Sequence, residues 1–126
     1  LMIDSGGLLH IAANVDVAAS ASGLGGRVVA VAEGDADVAG RWITAGGFST
    51  FSVGDLFVEG CQVRVSGELT NSATSGRNRV VAHESVSILD TASVSASGQG
   101  GVNSLRYRHA SKPPLVAGRM APMAGL

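Results

Sequence analysis

The chain has 126 residues, and 18 Gly, 18 Ala, 16 Val and 15 Ser make up more than half of them. A net charge of −1 gives no global pull toward nucleic acid or anionic lipid, and one Cys excludes an internal disulfide framework and a multi-Cys metal site. No run approaches the 18 apolar residues of a membrane-spanning helix, and the glycines lack the every-third-residue period of collagen.

In chain order, the opening LMIDSGG lacks the regions of a signal peptide and begins inside a pattern that recurs later, which reads as a piece of a longer protein. Leu9, Ile11 and Ala13 then alternate with Leu8, His10 and Ala12, and Val28, Ala30 and Ala32 with Arg27, Val29 and Val31. The same period of two covers Phe51–Val53, Val63–Val65 and Leu105–Tyr107. It predicts short strands with Val28, Ala30, Phe51, Val53, Val80 and Leu105 turned inward. Helical spacing is sustained nowhere, and frequent glycine would cost a helix about 1 kcal/mol at each occurrence. The stretch Asn71–Asn78 reads as an inserted loop. Residues 110–126 carry all three prolines, lack alternation, and read either as a tail or linker after a repeat domain over 1–109, or as a cap over the last strand.

Landmarks recur along this series. Gly-Gly pairs stand at 6–7, 25–26, 46–47 and 100–101, RVVA occurs at 27–30 and 79–82, and Gly-Asp-x-x-Val-x-Gly at 34–40 and 54–60. Units of roughly 19–29 residues holding short strands predict an all-β, right-handed parallel β-helix, a solenoid of four to five short coils. The narrow core of such a solenoid accounts for abundant Ala and Val and few aromatics. An antiparallel β-sandwich is the competing architecture.

The segments Gly25–Gly47 and Arg79–Gly101, with weaker copies at Gly6–Gly26 and Gly47–Gly76, resemble the repeats of filamentous-haemagglutinin-like and autotransporter-passenger surface proteins of bacteria. The resemblance runs from the start of the chain to about Arg108. It implies a parallel β-helix, secretion to the cell surface or beyond, and a role as a stalk or in attachment to a carbohydrate or host-surface ligand. It carries over no catalytic residue.

The residues themselves offer little chemistry. No nucleophile elbow, Walker loop, zincin helix or dinucleotide fingerprint is present, and no cofactor is implied. His10, His83 and His109 read as solvated surface residues, Cys61 as a small buried hydrophobe, and Trp42 as corner packing, with a carbohydrate-stacking surface as its alternative. The basic group Arg106, Arg108, His109, Lys112 and Arg119 reads as a solvated exit strand, the alternative being a contact for anionic polysaccharide or nucleic acid. The set to weigh is Asp16, Asp35 and Asp55, which recur at nearly equal spacing and would stack on one corner of the solenoid. Each either closes an Asx turn on its own backbone or joins a Ca²⁺ column. The function expected is a non-enzymatic stalk or adhesion segment. The alternatives are a self-associating scaffold, joined end to end, and a lyase-like enzyme acting on polysaccharide.

Overall fold

A computed structural model describes residues 1–21, 27–46, 55–72, 75–98, 100–107 and 115–122. Every strand in it pairs parallel to its neighbours, and no described residue is helical. The strands stack into three faces of a β-solenoid. The first face comprises β1 (Met2–Ser5), β4 (Arg27–Ala32), the first half of β7 (Asp55–Val65), the first half of β9 (Arg77–Ile88) and β11 (Val102–Tyr107). The second comprises β2 (Leu9–Ile11), β5 (Ala36–Val38), the second halves of β7 and β9, and β12 (Leu115–Val116). Because β7 and β9 run unbroken round the corner, these two faces form one eight-stranded sheet. The third face is a separate five-stranded sheet of β3 (Asp16–Ala21), β6 (Arg41–Gly46), β8 (Glu68–Asn71), β10 (Ser93–Ala96) and β13 (Arg119–Ala121).

Parallel pairing excludes the antiparallel sandwich. The expected four to five coils resolve into about three turns that have a neighbour on both sides, between a first and a last turn paired on one side only. The ladder also enters the segment read as a tail, since Leu115–Val116 pair with Ser87–Ile88 and Arg119–Ala121 with Ser93–Ser95.

Register corrects the repeat length. Met2 pairs with Val29, a step of 27, Arg27 with Asp55, a step of 28, and Asp55 with Arg77, a step of 22. Asn71–Asn78 therefore lies in the shortest of these steps rather than in an insertion. The two RVVA copies are not stacked on each other in register. Val80 lies over Val58 and Ala30, and Val28 over Leu56 and Asn78, so the copies are offset by two residues. A shift of two preserves which side chains point inward, which is why the alternation is correct where the landmark is not.

Inward residues form columns. Ile3, Ala30, Val58, Val80 and Leu105 share one, and Ile11, Val38, Val65 and Ile88 another. A third contains Val17, Trp42, Leu69, Val94 and Met120. Of the residues expected inside, Val28, Ala30, Val80 and Leu105 are buried, whereas Phe51 and Val53 lie outside the described residues. Trp42 is fully buried, as corner packing requires.

One column changes chemistry along its length: Val28 and Leu56 are followed by Asn78 and Asn103, all buried. Asn78 Nδ2 donates to Asn103 Oδ1 at 2.9 Å and to the Ser95 carbonyl at 2.8 Å. Asn103 Nδ2 donates to the carbonyls of Pro122 at 2.7 Å and Val94 at 3.4 Å. The pair thus ties the end of the third face to the start of the first, through carbonyls of β10 and of Pro122. Asn103→Ala is expected to cost about 1–3 kcal/mol, because it strands buried polar groups. The double replacement Asn78→Leu with Asn103→Leu, which extends the apolar column, is expected to cost less than the sum of the two single changes in a denaturant-melting cycle.

Candidate functional site

Side chains that point outward on the first face make the most elaborate surface of the molecule. Strand alternation and register place Arg27, Asp55, Arg77 and Val102 in one column, Val29, Phe57, Arg79 and Ser104 in the next, and Val31, Glu59, Val81 and Arg106 in a third. The lower three turns of these columns line an open groove of about 580 Å³.

Asp55 organises the groove. It is only 5% exposed, and its oxygens accept hydrogen bonds from Arg79 Nε at 3.2 Å and Arg79 Nη2 at 2.8 Å. Arg27 Nε approaches to 3.6 Å from the turn above. The fork geometry of a guanidinium suits such two-point contact. The same guanidinium lies 4.9 Å from the centroid of the Phe57 ring, within cation–π range. Arg79 is therefore held between a carboxylate and an aromatic face and acts as a fixed wall. Glu59 Oε1 lies 3.1 Å from His83 Nε2. Arg77 and Arg106 make no ion pair with a described residue. Four of the chain's nine Lys and Arg residues thus converge on this face, against the carboxylates of Asp4, Asp55 and Glu59.

The aspartate column does not form. Asp16 opens β3 and pairs at 3.8 Å with Arg41; Asp35 precedes β5 and accepts a hydrogen bond from the Gln62 backbone N–H at 3.1 Å; Asp55 opens β7 on the first face. The three occupy different positions of the turn, because their spacing in sequence falls short of the steps of 22 to 28 that the register sets. Among the described residues no three His, Cys, Asp or Glu side chains gather as a metal site.

Carboxylates elsewhere serve as staples between turns. His10 Nδ1 meets Asp37 Oδ2 at 3.0 Å, and Arg41 bridges Asp16 and Glu68 at 3.8 and 3.5 Å. His10 and His83 are half exposed, in agreement with outward positions, but each faces a carboxylate one turn away; His109 lies outside the described residues. Of the basic exit group, Arg106 belongs to the groove, Arg119 is exposed, and Arg108 and Lys112 lie outside the described residues. Asp55 lies in the second Gly-Asp-x-x-Val-x-Gly copy and Arg79 in the second RVVA copy, but neither motif shows that they meet; a trace of the groove is the alternation of sign at the true step, Arg27 to Asp55 to Arg77.

Cys61 is half-buried rather than buried, and it sits at the bulge where β7 and β9 slip register. Partial burial raises its thiol pKa, and the nearby carboxylates of Glu84 and Asp35 raise it further. With less thiolate at a given pH, Cys61 is expected to react with iodoacetamide at pH 8 more slowly than a thiol in the unfolded chain, and Glu84→Gln to speed it.

Comparison with protein-family models, with curated proteins and with solved structures gives no match. The fold itself defines the class: an all-β parallel solenoid.

Proposed function

We propose that this chain is a non-enzymatic stalk or adhesion segment of an exported bacterial surface protein, of the filamentous-haemagglutinin-like or autotransporter-passenger kind, working outside the cell or at its surface. The observation that carries this is how the outward carboxylates are used. Asp16, Asp37, Asp55, Glu59 and Glu68 each face a basic side chain, and most of these pairs link one turn to the next. A lyase-like or hydrolytic site needs an acid and a base aimed jointly at a substrate bond. Here the same groups link successive turns, and the parallel stacking is of the kind that further turns would extend into a stalk.

Two assays test the proposal. Incubation with pectin, alginate and chitin-type polymers is expected to release no new chain ends, and beads coated with the chain are expected to adhere to glycan-bearing surfaces. Reproducible cleavage that Glu59→Gln abolishes would move the protein to the polysaccharide-acting class.

A second reading, a self-associating scaffold, is favoured by one observation. Leu1, Met2 and Leu8 on the first turn are 61–70% exposed, beside a strand edge with no partner among the described residues. Such edges invite pairing with another chain. Sedimentation that shifts to larger species as concentration rises supports end-to-end assembly of this kind.

A further inference from the structure

We propose that the outer groove of the first face is a binding site for an acidic polysaccharide, with Arg77 and Arg106 taking successive carboxylate or sulfate groups of the sugar chain. This deepens the adhesion reading above and rests on it, since it names the ligand through which attachment would occur.

Four observations converge. The chain as a whole is slightly acidic, yet Arg27, Arg77, Arg79 and Arg106 meet on one face against three carboxylates, Asp4, Asp55 and Glu59, and three of these arginines line the groove itself with Glu59. Positive charge focused in a concave surface raises the local concentration of an anionic ligand. Arg79 is committed to Asp55 and Phe57, which leaves Arg77 and Arg106 to meet a ligand. Both are exposed and neither is ion-paired with a described residue.

Their placement selects the ligand's form. Arg77 stands at the start of its strand, and Arg106 is paired with Val81, four residues further along and one strand over. Strand geometry puts their Cα atoms about 14 Å apart. With both side chains standing away from the sheet, one small anion cannot engage both. A linear polymer with repeated acid groups can, lying along the groove between them. The Ser104 hydroxyl, between the two arginines, offers a donor and an acceptor to a sugar hydroxyl, and Val81 and Val102 give an apolar floor for a ring face. A nucleic acid fits less well: the aromatic face of Phe57 is covered by Arg79, so no platform remains for base stacking.

The test is calorimetric titration of the full chain with a galacturonate hexamer and with a heparin hexamer, using a neutral glucose hexamer as control. At least one acidic hexamer is expected to bind with an affinity that falls as salt rises, and the neutral one not to bind. Binding of galacturonate alone assigns carboxylate as the recognised group, and binding of heparin alone assigns sulfate. The variant Arg77→Ala with Arg106→Ala, which alters only exposed side chains, is expected to weaken binding by about tenfold or more with an unchanged circular dichroism spectrum. Arg119→Ala, on the third face, is expected to change nothing. The inference is overturned if neither acidic hexamer binds, if the double variant binds as well as the parent, or if a single-stranded DNA oligonucleotide binds as tightly as the better hexamer. These outcomes are distinct from failure of the functional reading, which is judged by polymer cleavage and bead adhesion rather than by affinity for an acidic sugar.

Discussion

Gly67→Ala is expected to destabilise the solenoid by about 1–3 kcal/mol, whereas Gly6→Ala is expected to stay within about 0.5 kcal/mol of the parent. Gly67 sits at the corner between the second and third faces, directly below Gly40 and in register with Ala92 and, further on, Gly118. A Cβ at Gly67 would run into the carbonyl oxygens of Gly40 and Ala39. Those oxygens belong to the backbone of the turn above, and the Gly40 oxygen accepts the Glu68 N–H at 3.1 Å. Neither can swing away as a flexible side chain would, so relief requires opening the ladder itself. A Cβ at Gly6 meets nothing within 4 Å. Urea melts of the two variants check the contrast; equal losses at the two sites would refute the close corner packing.

Trp42→Ala is expected to lose about 3–5 kcal/mol, the range for truncating a large aromatic side chain in a core. Trp42 is the bulkiest fully buried residue, and it lies between Val17 and Leu69 in its column, so its removal leaves a cavity that the ladder above and below holds open. Its indole Nε1 is buried without a hydrogen-bond partner. Trp42→Phe removes that unsatisfied donor along with part of the volume, and is therefore expected to cost well under half as much as Trp42→Ala. Guanidinium melts followed by circular dichroism compare the two; a larger loss for phenylalanine than for alanine would contradict this packing.

These two sites mark what can be read from the sequence and what cannot. The period-two alternation around Val28, Ala30, Val80 and Leu105 identifies the inward side chains, because pleat geometry depends only on neighbours along the strand. Turn length depends on contacts between strands that are far apart in sequence, and there the landmarks mislead. The Gly-Asp-x-x-Val-x-Gly copies begin at Gly34 and Gly54. The true step carries Ala36 to Val63, so the first copy runs along the second face and the second copy leads onto the first. A repeat of composition is not a repeat of structure here, and reading it as one puts Asp16, Asp35 and Asp55 on a single corner. Single glycines at 40, 67 and 118 mark the real corner. They are harder to see among 18 glycines, because close backbone approach leaves no signature other than the absent side chain. The groove is hidden for the same reason. Asp55 and Arg79 are 24 residues apart and meet only because the strands that carry them stack.

Each turn lies in parallel register on the next, and nuclear Overhauser contacts across the Ala30–Val58–Val80–Leu105 column are the sharpest check of that stacking. Val58 is expected to show inter-strand contacts to both Ala30 and Val80, and Val80 to both Val58 and Leu105, in the evenly spaced Hα–amide pattern of parallel strands. Strong Hα–Hα contacts between facing residues, the mark of antiparallel pairs, or contacts of Val58 with only one of its two expected neighbours, would contradict it.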